Sequence, residues 1–420
     1  MEYFIFSIII ILALVGVPLF VIMALLSLVA FSFADVQLAS IAVEIYRMAS
    51  APTLLTIPLF TFAGYMLAES KSPQRVLKLT GAALGWMPGG VGIVALVVCS
   101  FFTAFTGASG VTIIALGGLL YPVLMSEKYS ENFSLGLITT SGSLGLLFPP
   151  SLPIILYGLV SKTDIDKLFL AGILPGTLLI IILSAWCIKC GSNNKQVRKK
   201  FSMSEFLTAA KNAWAEMLVP IAVLIGIYGG YTTTSEAAAF TAFFVLITAC
   251  FIHKDLSLTK DIPKVIAESM TLVGAILLIL CCALGLTSYL VDEEVPMKIL
   301  EFMKQFLTNK YMFLLFLNIF LLIVGCLMDI FSAIIVVVPL IVPIATEFGV
   351  SPIHLAIIFL TNLEIGYITP PVGINLFISS FRFGRPVTQL YKASFPFMLL
   401  LLFALLIITY VPALSLYMVE

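Results

Sequence analysis

Gly142-Ser143-Leu144-Gly145-Leu146-Leu147-Phe148-Pro149-Pro150 and Leu363-Glu364-Ile365-Gly366-Tyr367-Ile368-Thr369-Pro370-Pro371 are one phrase written twice, 221 residues apart. Aligning them puts Gly145 on Gly366 and each proline on a proline. Working outward, the same offset carries Gly64 to Gly285, Pro122 to Pro343, Thr140 to Thr361 and Pro175 to Pro396. Two halves of the chain therefore share one plan. In each, an apolar segment is interrupted by glycine and a proline pair. Proline removes a backbone donor, clashes with the preceding turn and biases the residue before it away from helix, so the interruption is built into the sequence. Paired interrupted spans in corresponding positions of two repeats point to a binding site between those repeats.

The composition places these interruptions in a membrane. Hydrophobic residues make up 61% of the 420 and charged residues 10%, against about 25% charged in ordinary soluble domains. The mean hydropathy is +1.15. Uninterrupted apolar stretches run over Phe4 to Ala34, Leu174 to Ile188, Leu218 to Ile252 and Phe395 to Met418; several reach the roughly 20 residues that cross the hydrocarbon layer as helix. The first lacks a basic n-region and an Ala-x-Ala site, so it is expected to be a retained span. The net charge is zero, but basic residues gather at Lys189 to Lys200, at His253 to Lys264 and at Arg382, Arg385 and Lys392. All three groups are expected on the cytoplasmic side. They are brief loop runs, which excludes a nucleic-acid footprint.

The expected architecture is an all-α polytopic membrane protein with about nine crossings. Residues 1–191 form a first repeat, 192–232 a cytoplasmic linker with an amphipathic stretch and one extra span, and 233–420 a second repeat. The extra crossing turns the second repeat upside down. Each repeat holds one re-entrant hairpin, at about 89–125 and 312–344, and one broken helix, at about 133–160 and 355–379. The hairpin reading rests on arms near 16 residues long and on small polar residues at mid-membrane, tolerable only where protein or a cavity shields the backbone. An interfacial helix is expected near Val36 to Arg47.

Four irregular regions are expected to meet near the midplane: Thr106 to Gly110, Ser141 to Pro150, Gly325 to Asp329 and Thr361 to Pro371. Helices that stop inside a bilayer leave unpaired N–H groups at one end, which attract anions, and carbonyls at the other, which attract cations. The candidate binding residues are Thr106, Gly107, Ser109, Thr140, Ser141 and Gly145 in the first half, and Gly325, Asp329, Thr361, Asn362, Gly366 and Thr369 in the second. Pro149, Pro150, Pro370 and Pro371 make the breaks. Asp329, set among apolar residues, is assigned as a sodium ligand or a support for the hairpin tip, with an N-cap for the helix beginning near Phe331 as the alternative. Glu364 is read as a site carboxylate or a contact to a neighbouring helix, and Asn375 as a site amide or a bridge between helices.

Other residues carry blander readings. Glu236 after Thr232 to Ser235 is a helix cap with a first-turn acid. His253 is placed at the interface and His354 near an aqueous end. Cys187 and Cys190 have ligand-like spacing without a second pair, and the seven cysteines are small buried hydrophobes. Phosphate-loop, dinucleotide and hydrolase signatures are absent from the sequence, so enzymatic and ATP-driven functions gain nothing from it.

Phe101 to Gly110, Gly142 to Pro153, Gly325-Cys326-Leu327-Met328-Asp329 and above all Asn362 to Asn375 resemble the large membrane subunit of tripartite ATP-independent periplasmic (TRAP) transporters, the DctM-like family of the ion-transporter superfamily. The resemblance covers essentially the whole chain. Ala108 stands where an acid matching Asp329 would be. The resemblance implies a bacterial inner-membrane permease working by an elevator movement, in which hairpins and broken helices travel against a scaffold with arms near 72–86 and 294–310. It implies a DctQ-like small membrane subunit, a DctP-like periplasmic binding protein and sodium as coupling ion, with no other cofactor. Sodium is implied near Thr106, Ser109 and Ser141 and near Gly325, Thr361, Asn362 and Thr369. The implied solutes are organic acids such as C4-dicarboxylates, sialic acids and related sugar or keto acids. The competing expectation is a stand-alone secondary anion transporter of the same superfamily that needs no binding protein.

Overall fold

A computed structural model describes residues 17–33, 50, 52–192, 201–304, 306 and 309–419, with a few isolated positions before Val17 and at Val43 and Tyr46. Apart from those two positions, the expected interfacial helix at Val36 to Arg47 lies outside the described residues, as does the basic run from Lys195 to Lys200. The described residues form helices joined by turns and short irregular links, with no strand among them.

The chain opens with α1 (Leu19–Phe33), then α2 (Thr56–Glu69) and the short amphipathic α3 (Ser72–Leu84). Next, α4 (Gly90–Thr106) and α5 (Ser109–Ser126) flank the Gly107-Ala108 interruption. The first broken helix comprises α6 (Glu131–Ser141), a 3-10 turn at Leu144–Leu147 and α7 (Leu152–Ser161), bent by 45°. The long α8 (Ile165–Ser192) follows. Amphipathic α9 (Met203–Asn212) meets α10 (Trp214–Tyr228) at 70°, where the extra span was expected. The second half holds α11 (Thr234–Ile247), α12 (Asp261–Asp292), α13 (Val295–Lys304), α14 (Lys310–Leu327), α15 (Ile330–Glu347), α16 (Pro352–Gly366), α17 (Ile374–Phe383), α18 (Val387–Tyr410) and α19 (Ala413–Leu416). Among the described residues, seven helices are long and apolar enough to cross a membrane, or up to nine when each bent pair counts as one span.

The 221-residue offset recurs in these boundaries. It carries α5 from Ser109–Ser126 onto α15 at Ile330–Glu347, and the starts of α6 and α16 coincide under it. Packing follows the same correspondence reciprocally. Helix α5 packs on α17 while α15 packs on α7, α6 packs on α18 while α16 packs on α8, and α1 packs on α12 while α11 packs on α2. Each half thus completes the other's helix pairs.

Local chemistry explains the ends. Glu236 and Thr233 form a full capping box at the start of α11, the Thr233 N–H donating to the Glu236 carboxylate at 2.7 Å, as the sequence suggests. Gly107, at φ +64, turns the chain out of α4 in the left-handed region that suits glycine. The hairpin arms differ from expectation: α4 has 17 residues and α5, α14 and α15 have 18 each. At 1.5 Å per residue these are about 27 Å long, close to a full crossing. Helical bonding continues to the very residues that interrupt it, so arm length does not by itself mark a hairpin.

His354 also departs from its expected aqueous position. It is 1% exposed, with Nδ1 2.6 Å from Ser415 Oγ and Nε2 3.2 Å from the Thr409 carbonyl oxygen. Two polar partners some sixty residues downstream make burial affordable, and they are invisible locally in the sequence.

Candidate functional site

The first-half interruptions meet through small residues. Thr103 Oγ1, one turn before the α4 end, lies 2.8 Å from the Gly142 carbonyl oxygen and 2.8 Å from Thr112 Oγ1. Gly145 lies so close to α4 that a Cβ on it would sit 2.2 Å from the Ser100 carbonyl oxygen. A Cβ on Gly107 would meet the Leu152 side chain at 2.5 Å, so the α4–α5 tip rests against the start of α7. Thr106, Thr140 and Ser141 are fully buried and Ser109 nearly so. Ser141 Oγ bonds its own helix at the Ile138 carbonyl, 3.3 Å away, while Thr140 Oγ1 has no partner among the described residues.

The second half repeats this arrangement with different side chains. Gly366 meets Gly325 backbone to backbone; a Cβ on Gly366 would lie 2.4 Å from the Gly325 carbonyl carbon. The Ile330 N–H donates to Tyr367 Oη at 2.8 Å, and the Gly373 N–H donates to the Cys326 carbonyl at 3.1 Å. Asp329 caps α15: Oδ1 accepts from the Phe331 and Ser332 N–H groups at 3.0 and 3.1 Å, and Oδ2 accepts from the Ser332 hydroxyl. Its carboxylate is therefore engaged locally, which favours the capping reading. Asn362 Nδ2 donates to Asn318 Oδ1 at 2.7 Å and to the Ile358 carbonyl at 2.8 Å, while its Oδ1 has no partner among the described residues. Thr361 and Thr369 donate to carbonyls one turn back, at Ile357 and Ile365, and keep hydroxyl lone pairs for another ligand.

Asn375 joins the two halves. Its Oδ1 accepts from Ser109 Oγ at 2.7 Å, its Nδ2 donates to the Thr139 carbonyl at 3.3 Å, and its backbone N–H donates to the Tyr367 carbonyl at 3.1 Å. Thr139 Oγ1 in turn lies 2.8 Å from Ser379 Oγ. All four interruptions are thus connected by direct contacts. The two breaks differ in exposure, Pro150 being buried and Pro370 and Pro371 exposed. The second peptide bond of each proline pair, Pro149-Pro150 and Pro370-Pro371, is cis.

Sequence reading overlooked Asn318, although an amide between Leu317 and Ile319 in an apolar run was a visible signal. It also overlooked Tyr367, whose hydroxyl looked like one more aromatic among many, Thr103, which lies inside the Phe101 to Gly110 phrase but was not singled out, and Thr139, just before the Gly142 phrase. Among the described residues, no three His, Cys, Asp or Glu side chains gather as a metal site. Sodium, which takes hydroxyl and carbonyl oxygens, asks for a different donor set, and such oxygens are abundant at both tips.

The chain and its fold have known counterparts. A family model described as the DctM component of the tripartite ATP-independent periplasmic transporter matches residues 6–414. A C4-dicarboxylate TRAP transporter large permease protein, DctM, from Pseudomonas aeruginosa is 34% identical over 385 residues, covering 91% of this chain and 90% of its own length. The ectoine/5-hydroxyectoine TRAP transporter large permease protein UehC of Ruegeria pomeroyi is 29% identical over 422 residues, covering 99% and 97%. The isethionate TRAP transporter permease protein DctMQ of Oleidesulfovibrio alaskensis is 36% identical over 367 residues, covering 87% of this chain and 58% of that longer protein. Among solved structures, the Alcanivorax borkumensis YdaH transporter superposes with a TM-score of 0.62 at 12% identity, covering 88% of this chain and 86% of that one. The chain is a polytopic inner-membrane protein and a transporter component, not an enzyme. It belongs to the DctM family, the large permease component of TRAP transporters for organic-acid-type solutes, within the ion-transporter superfamily.

Proposed function

We propose that this permease takes up an organic anion by sodium-coupled symport. The observation that carries the reading is the contact chain running from Ser109 through Asn375 to Tyr367, which ties the interruptions of both halves into one body. Helix starts at Ser109, Leu152 and Ile374 carry no side-chain cap, leaving their N–H groups for a carboxylate. Unfilled oxygens on Thr140 and Asn362, with the hydroxyls of Thr106, Ser109, Ser141, Thr361 and Thr369, suit sodium beside that anion. The relatives carry names for a C4-dicarboxylate, isethionate and ectoine, so the class of solute extends to this chain and the individual solute does not.

In this reading residues 1–191 and 233–420 are inverted repeats, with 192–232 supplying the linker and the extra crossing. Helix pairs α4–α5 and α14–α15 are re-entrant hairpins, because their polar tips are sheltered by neighbouring helices rather than offered to lipid. With the two broken helices they form a transport body. Helices α3 and α13 are arms of the scaffold against which that body moves as an elevator. A small DctQ-like subunit braces the scaffold and a DctP-like binding protein delivers the solute. The test is uptake into proteoliposomes holding the permease, with and without a DctQ-like subunit and a DctP-like binding protein. Uptake that needs both partners and stops when the sodium gradient is collapsed supports the proposal. Uptake without a binding protein favours the stand-alone transporter, and proton-driven uptake indifferent to sodium removes the sodium assignment.

A further inference from the structure

Away from the interruptions, two cavities share three residues. The larger, of about 620 Å³, lies between amphipathic α3, amphipathic α9 and the first hairpin, where Leu77, Gly81, Met87, Val91, Val94 and Val123 form an apolar wall. The smaller, of about 180 Å³, is lined by Arg75, Lys78, Ala209, Asn212 and His253. Lys78, Ala209 and Asn212 belong to both. The two are therefore one space, with hydrogen-bond donors gathered at one end and hydrocarbon along α3, α4 and α5. Its two acids, Glu127 and Glu205, line the larger cavity and not the donor end; Glu205 is seven residues from Asn212 along α9, about 10 Å.

The donor end holds capacity that the protein does not fill. Arg75 uses three of its five N–H groups on Glu216, Asp255 and Ser72 and keeps two. Glu216 and Asp255 line neither of these cavities. His253 Nε2 is buried without a hydrogen-bond partner, and Lys78 has no ion pair, among the described residues. Asn212 adds an amide. A phosphodiester offers the matching chemistry, a negative charge on two free acceptor oxygens, and basic pockets at the cytoplasmic membrane surface take such headgroups. His253 opens one of the basic groups expected on that side.

The 221-residue offset supplies an independent observation. It carries Lys78, Ala82 and Val123 of the larger cavity to Ile299, Met303 and Ile344, and these line a cavity of about 410 Å³ between α13, α14 and α15. Every residue lining that second cavity is apolar, and two of them, Phe316 and Phe320, are about half exposed on α14. In a bilayer such a cleft faces hydrocarbon and takes lipid tails. The fold thus makes a crevice between arm and hairpin in both halves. In the first half, lysine replaces isoleucine at the corresponding position and the donor cluster is added beside it.

We propose that the crevice between α3, α9 and the first hairpin binds a phospholipid. Its phosphate is held by Arg75, Lys78, Asn212 and His253, and one acyl chain lies against Gly81, Val91, Val94 and Val123. Under the elevator reading this lipid occupies the seam between arm and transport body. The site itself does not depend on sodium coupling, and binding is measured without transport, so failure of the symport reading and failure of this proposal are separate outcomes.

The test titrates delipidated permease in detergent with palmitoyl-oleoyl phosphatidylglycerol and counts bound lipid by native mass spectrometry. Wild type is compared with Lys78→Gln, Gly81→Leu and Lys211→Gln. A Cβ on Gly81 meets nothing within 4 Å, so leucine there has room to fill the crevice. Lys211 is exposed on α9 beside Asn212 but lines neither cavity, and reports general attraction to anionic lipid. Wild type is expected to retain one lipid, with affinity about fivefold lower in Lys78→Gln. Gly81→Leu should lose at least as much, and Lys211→Gln nothing. Both losses are required: a loss in one of the two variants alone, equal affinities in all four proteins, or an equal loss in Lys211→Gln overturns the proposal. Inorganic phosphate is added as competitor; lipid displaced by phosphate, with Gly81→Leu unaffected, marks a site for free phosphate and overturns the lipid assignment. Should a variant fail to accumulate, wild type is irradiated with phosphatidylglycerol carrying a diazirine on its acyl chain. Adducts on residues 77–94 or on Val123 support the site, and adducts confined to other segments contradict it.

Discussion

Ser109 donates its hydroxyl hydrogen to Asn375 Oδ1 across 2.7 Å, joining the first tip to the far arm of the second broken helix over 266 residues of sequence. Replacing either residue by alanine leaves a buried polar partner exposed to nothing. Each single change is expected to lower stability by about 1–3 kcal/mol. The double change should cost less than the sum of the two, because the lost bond is then counted once. Thermal unfolding of the four purified proteins measures this, and strict additivity would show that the contact is not an energetic link.

The Gly325–Gly366 approach predicts sharp size selection. Gly366→Ala places a carbon 2.4 Å from backbone that has no side chain to move away, and is expected to cost about 1–3 kcal/mol or more through overpacking. Gly274→Ala, where an added carbon meets nothing within 4 Å, should remain within about 0.5 kcal/mol of wild type. Equal unfolding midpoints for the two variants would refute the close-contact account.

Asp329 and Asn362 should separate in their effects. Asp329→Asn retains a good cap and is expected to keep most uptake, whereas Asp329→Ala loses about 1 kcal/mol of stability with the cap. Asn362→Ala removes both the Asn318 bond and the unpartnered Oδ1, and is expected to reduce sodium-dependent uptake more than membrane abundance. Uptake and abundance measured on the same membranes decide the matter. Loss of uptake in well-expressed Asp329→Asn would return Asp329 to the ion site.

Arg75 predicts an effect far from the interruptions. Its Nε lies 2.7 Å from Glu216 and its Nη1 2.7 Å from Asp255, fastening arm α3 to α10 and to the loop after α11. Glu216 is 2% exposed, so Arg75→Ala strands a buried acid and is expected to cost about 3 kcal/mol or more. Unfolding midpoints check this; a midpoint unchanged from wild type would mean the cluster is not holding the arm.

The periodic features were legible in the sequence because they repeat. Glycine and proline at a fixed offset mark both breaks, the tips at Gly107 and Asp329 follow from glycine and capping chemistry, and apolar length gives the spans. What could not be read is anything that depends on two distant residues meeting. Asn375 read as a site amide or a bridge without a named partner and His354 as a residue near an aqueous end, and nothing local to Arg75 names Glu216 or Asp255 as its partners. The arms run one or two residues longer than apolar counting gives because α4 and α14 stay helical up to the residue that ends them.

The central claim is that both tips and both breaks move together against the arms. Spin labels at Gln74 of α3 and Phe381 of α17 report body against arm, and labels at Ile114 of α5 and Phe381 report motion within the body; all three label sites are exposed. With the seven native cysteines replaced, distances are measured by pulsed electron resonance in lipid bilayers containing sodium or potassium. The account predicts a Gln74–Phe381 distribution that redistributes between ions while Ile114–Phe381 stays fixed. A fixed Gln74–Phe381 distance, or an Ile114–Phe381 distance that changes as much, would contradict it.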